Sequence, residues 1–134
     1  MEISGANRAE STQDFGLLLS DDLIFTSRIT GVASSLGLNV RAARSAEAIL
    51  NLARRQPPHC VIVDLANPGL VLVDLMRQLG ELVNSPRVVA YGSHVDTESL
   101  RAARAAGCDP VLPRSKFVEE LPTALPLWFA GRKA

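Results

Sequence analysis

Five times along this chain an apolar run of strand length is followed by a segment of helical period, and that alternation leaves few folds open. A run that is apolar throughout, as at 60–63, has no polar face to give to water, so it needs cover on both sides, and parallel neighbours need a long crossover that is usually a helix. The runs fall at residues 16–20, 38–42, 60–63, 87–91 and 110–112. Cys60-Val61-Ile62-Val63 is β-branched and wholly apolar, which suits a central strand.

Between the runs, Ile24, Phe25, Ile29, Val32, Ala33 and Leu36 recur close to every 3.6 residues, and Gly37 is placed to end that helix in a left-handed cap. Ser45 is placed to cap a second helix carrying Ala46, Ile49, Leu50 and Ala53, and Pro57-Pro58 blocks its continuation. A third helix follows the Asn67-Pro68-Gly69 turn through Leu72, Leu75, Met76, Leu79 and Leu82 or Val83. Asp96 or Thr97 opens a fourth that ends at Gly107. Leu121, Leu125 and Trp128 have helical spacing, but Pro122 and Pro126 predict a last helix that is short or broken.

Size and charge narrow the function. The 134 residues suffice for one domain, expected at 15–130 between a loosely ordered lead-in at 1–14 and a tail at 131–134. Fourteen basic residues offset fourteen acidic ones without a long single-sign block, which argues against nucleic acid and anionic membrane as partners. Arg41, Arg44, Arg101 and Arg104 read as solvated element ends. Cys60 and Cys108 lack CxxC spacing and lie in or beside apolar runs, so buried reduced thiols are expected, in keeping with a cytoplasmic location. His59 and His94 show no ligand pattern.

Chemistry in an open parallel sheet gathers at the carboxyl ends of the strands, where strand order reverses. Asp21, Asp22 and Asp64 lie at that edge. With strands one and three adjacent, as in the flavodoxin-like order 2-1-3-4-5, the three carboxylates converge, and a hard divalent cation such as Mg²⁺ would offset their repulsion. The plainer role for Asp21-Asp22 is to cap the helix beginning near Ile24.

Three motifs make the stretch from Phe15 to about Phe129 resemble the CheY-like receiver domains of two-component response regulators. They are Leu19-Ser20-Asp21-Asp22, Val61-Ile62-Val63-Asp64-Leu65-Ala66-Asn67-Pro68-Gly69, and Ala105-Ala106-Gly107-Cys108-Asp109. The resemblance implies a three-layer α/β sandwich with a five-stranded parallel sheet and about five helices. It implies Asp64 as phosphoacceptor, Asp22 as a direct Mg²⁺ ligand, Asp21 as a water-mediated one and Ala66 as donor of a main-chain carbonyl. Two-component phosphorelay signalling follows, with a sensor histidine kinase or phosphotransfer protein upstream, a downstream protein partner and a possible homodimer.

The chain departs from the family at three places. The Thr or Ser that ends strand four falls on Gly92, with Ser93 adjacent; a tight turn leaving the strand also accounts for this glycine. The Lys position falls on Arg114, larger and planar, with Lys116 as the alternative cation, and the aromatic switch position falls on Val111. These departures support a pseudo-receiver, a phosphorylation-independent interaction module. An enzyme or cofactor carrier is disfavoured, because no glycine-rich phosphate loop follows the first strand.

Overall fold

In a computed structural model, which describes residues 15–130, each apolar run forms a strand and each periodic segment a helix. The order is β1 (Phe15–Leu19), α1 (Leu23–Ser35), β2 (Asn39–Ala43), α2 (Ala46–Arg55), β3 (Cys60–Asp64), α3 (Leu72–Gly80), β4 (Arg87–Gly92), α4 (Thr97–Ala105), β5 (Val111–Pro113) and α5 (Arg114–Ala130). The expected lead-in at 1–14 and tail at 131–134 lie outside the described residues. All neighbouring strands are parallel, in the order β2-β1-β3-β4-β5.

The sheet separates two cores. On one face Leu17, Leu19, Val61, Val63, Val88 and Ala90 pack against Ile49 and Ala53 of α2, Leu75 and Leu79 of α3, and Leu100 and Ala103 of α4. On the other, Leu18, Cys60, Ile62, Val89 and Tyr91 meet Ile29 and Ala33 of α1 and Phe117, Leu121, Leu125, Trp128 and Phe129 of α5. Strand alternation assigns each side chain to its face. Cys60 and Cys108 are buried free thiols, and burial pushes the Cys60 thiol up to about 12.

Helix ends follow side-chain chemistry. Ser45 accepts from the Ala48 N–H and Asp96 from the Ser99 N–H, each satisfying a donor that the helix leaves free. Gly37 follows α1 with φ of 76°, and Gly107 follows α4 with φ of 105°, both in the left-handed region.

The last helix differs from its expectation. It is longer than expected, one element of seventeen residues that contains both Pro122 and Pro126. Both prolines are exposed while Phe117, Leu121, Leu125, Trp128 and Phe129 are buried. Fully burying one large apolar side chain contributes about 1.5–3 kcal/mol, so five of them outweigh two prolines at about 3 kcal/mol each. Phe117 lies against Tyr91 of β4 with ring centroids 4.6 Å apart, anchoring the helix to the sheet. A Cβ on Gly16 would lie 2.5 Å from Phe129 Cζ, so the missing side chain in β1 is what admits α5 this closely.

Candidate site at the carboxyl edge of the sheet

Asp64 ends β3 and is only 3% exposed, on the same face as Cys60 and Ile62. The β1–β3 register pairs Leu19 with Val63, which brings Ser20 level with Asp64, and on the other side Asp64 pairs with Tyr91. Three side chains therefore point to one face at one level, from three adjacent strands. Ser20 Oγ donates to Asp64 Oδ2 at 2.8 Å, and the Ala66 N–H donates to Asp64 Oδ1 at 2.9 Å. The Asp22 N–H donates in turn to Ser20 Oγ at 3.1 Å.

The residues expected to hold Mg²⁺ take the following places. The residue of the first loop that faces Asp64 is Ser20, and the exposed Asp22 carboxylate accepts from the Phe25 N–H at 2.9 Å as the cap of α1. Asp21 is exposed. Among the described residues no three His, Cys, Asp or Glu side chains are grouped so as to hold a metal ion. Asp64 and Asp22, two of the carboxylates that the resemblance assigns to Mg²⁺, thus accept hydrogen bonds from protein donors in this structure.

The remaining positions are also changed. Gly92 is the last residue of β4 and has no left-handed φ, so it is a strand residue and not a turn. A Cβ there would meet Leu65 at 3.4 Å and Leu100 Cδ2 at 3.5 Å, ordinary contact, so the backbone tolerates the hydroxyl-bearing side chain that the position lacks. Arg114 makes no ion pair with Asp64; its guanidinium carbon lies 5.6 Å from the centroid of Phe25, and its Nε is buried without an acceptor. Lys116 pairs with Glu120 on the exposed side of α5 at 3.4 Å. Val111 is buried among the aliphatic residues between β4 and α4.

Ser20 and Tyr91 are the site residues that sequence reasoning passed over. Tyr91 is fully buried between Phe25, at 5.0 Å, and Phe117, at 4.6 Å, and its hydroxyl has no hydrogen-bond partner of normal geometry. Burial pushes this phenol well above its ordinary range, the Asp64 charge adds to the effect, the Ser20 hydroxyl and Arg114 pull the other way, and Asp22 adds a smaller upward push. Parity along β1 and β4 places these two residues on the Asp64 face, but parity needs a register, and register is set across strands.

No family model matches the chain. The response regulator protein TodT of Pseudomonas putida F1 is 29% identical over 93 residues, 69% of this chain and 41% of TodT. Nodulation protein W of Bradyrhizobium diazoefficiens is 26% identical over 106 residues, 78% of this chain and 47% of that protein, so the chain spans less than half the length of these curated relatives. Among solved structures, a putative response regulator from Chloroflexus aurantiacus superposes with a TM-score of 0.77 at 21% identity, covering 89% of this chain and 99% of that one. The receiver domain of Saccharomyces cerevisiae Ssk1, crystallised with the histidine phosphotransfer protein Ypd1, gives 0.65 at 16%, covering 84% and 91%. Strand order and these likenesses agree on the fold, which is that of CheY-like receiver domains, and in sequence the chain is similar to response regulators over about two thirds of its length.

Proposed function

We propose that this receiver domain serves two-component signalling as a protein-interaction module that works without Mg²⁺ and without a phosphoryl group on Asp64. One observation carries the reading: both oxygens of Asp64 already accept hydrogen bonds from the protein, one from the Ser20 hydroxyl and one from the Ala66 N–H. A carboxylate that attacks a phosphoryl group needs its charge and that of the phosphate screened at the reacting oxygens. Here Ser20 faces Asp64 from β1, no hydroxyl stands at Gly92, and the Arg114 guanidinium stacks on Phe25.

The surface supports an interaction role. Leu23 and Ile24 after β1, Val71 and Val73 after β3, and Val95 after β4 are exposed large apolar residues on loops and helix starts at the carboxyl edge of the sheet. Ile24 is 84% exposed. Exposed apolar residues placed at one edge of the sheet fit a protein docking surface. The partner is proposed to be a sensor kinase or phosphotransfer protein, the class that Ypd1 represents for Ssk1, or a downstream protein, and the domain itself is proposed to have no enzymatic activity. Among the described residues no helix is long and apolar enough to cross a membrane.

The test is incubation of the chain with Mg²⁺ and acetyl phosphate or beryllofluoride, followed by intact mass and by amide shifts around Asp64. The expected result is no mass increment and no shift. An adduct that disappears in Asp64→Asn would overturn the proposal and make Asp64 a working phosphoacceptor.

A further inference from the structure

A second site lies beside the first, between α1, the β4–α4 loop and the start of α5. An open pocket of about 510 Å³ is lined there by Phe25, Arg28, Ser93, His94, Arg114 and Ser115, with Val118 closing its apolar side. The size lies within the range of small-molecule sites, and the lining has the usual composition of an apolar floor with a few convergent polar groups.

Neither Arg28 nor Arg114 forms an ion pair among the described residues, whereas Arg77, Arg101 and Lys116 each pair with a carboxylate on their own helix. The nearby carboxylates are engaged: Asp22 caps α1 and Asp64 accepts from Ser20 and Ala66. Arg114 Nε is buried and lacks an acceptor, which leaves a desolvated donor unpaired. Its planar group is held over the Phe25 ring, so little rotamer freedom remains to be lost when it binds. The hydroxyls of Ser93 and Ser115 add neutral donors at the rim.

We propose that this pocket binds a small molecule carrying a phosphate or carboxylate group on a flat apolar body. The anion sits between the guanidiniums of Arg28 and Arg114, and the body lies on Phe25 and Val118. Two planar guanidiniums suit forked recognition of such oxygens, and the aromatic floor favours a flat ligand over a bare ion. The site does not use Asp64, so it stands or falls independently of whether that residue accepts a phosphoryl group.

The test is a titration of the isotope-labelled chain at neutral pH with phenyl phosphate, benzoate, inorganic phosphate and, as a neutral control, benzyl alcohol. Phenyl phosphate or benzoate should give saturable shifts of the Ser93, His94 and Ser115 amides and the Arg114 Nε–H, with inorganic phosphate several-fold weaker and benzyl alcohol silent. The relative strength of phenyl phosphate and benzoate identifies the preferred anion. Arg28→Ala, an exposed position that leaves the core untouched, should weaken binding tenfold or more, and Arg114→Lys should weaken it while Arg41→Ala on the edge strand does not. Absence of saturable shifts, equal shifts with benzyl alcohol, unchanged affinity in Arg28→Ala, or shifts centred on Asp64 and Ala66 would each overturn the proposal.

Discussion

Three aligned side chains, Ser20, Asp64 and Tyr91, set the chemistry of the carboxyl edge, and two of them make opposite predictions for stability. Ser20→Ala removes a donor from a buried carboxylate, and leaving that acceptor short of a bond costs about 1–3 kcal/mol, read as a lower urea midpoint at unchanged slope. Tyr91→Phe deletes a buried hydroxyl that makes no hydrogen bond of normal geometry, so it should be neutral or stabilising by up to about 1 kcal/mol in the same assay. Cys60 gives a pH signature. Its thiol is held up at about 12 against an ordinary 9.0, so the folded state keeps a proton that the unfolded state loses. The stability this contributes is complete below about pH 9 and is lost as pH rises from there toward 12. Native chain at pH 8 should accordingly resist thiol reagents at Cys60, labelling only as fast as it unfolds. Asp64 itself was legible from the sequence as a carboxylate closing the most apolar strand. Its hydrogen-bonding neighbour was not, because Ser20 is marked only by standing level with it.

At the scale of elements, the helix caps were written locally and read correctly. Asp96 is held below the usual carboxylate range by its bonds to Ser99, side chain first and backbone second, so the capping contribution is present above the unfolded value of 3.8 and is lost as pH falls through the lower folded value. A carboxyl titration by NMR should place Asp96 below the ordinary aspartate value of 3.8. In α5, local rules and tertiary packing disagree, and packing prevails. Replacing the exposed Pro122 by Ala restores a backbone donor without disturbing the buried face, and should stabilise the chain by roughly 1–3 kcal/mol in thermal or urea unfolding. Gly16→Ala should do the reverse, because the new Cβ forces Phe129 off β1; overpacking of this kind costs about 1–3 kcal/mol.

For the molecule as a whole, two helices on one face and three on the other cover the central sheet and bury β1, β3 and most of β4, and the crevice that results carries two different candidate sites. A ligand that binds only the folded state raises its stability in proportion to the logarithm of its concentration over Kd. Mg²⁺ should therefore leave the melting temperature unchanged, whereas phenyl phosphate or benzoate should raise it if the pocket between α1 and α5 is occupied. The same scan on Arg28→Ala should show no rise.

The alternation of apolar runs with helical periods determined by itself the fold class, the order of elements, both left-handed glycine stops and the position of Asp64, because each depends on spacing within one segment. The register between β1 and β3, the continuity of α5 across its prolines and the stacking of Arg114 on Phe25 were decided only by the tertiary structure. Each of these is a contact between segments far apart in the chain. Which residue faces Asp64 is settled by how two strands align, and a shift of one residue exchanges a serine for an aspartate.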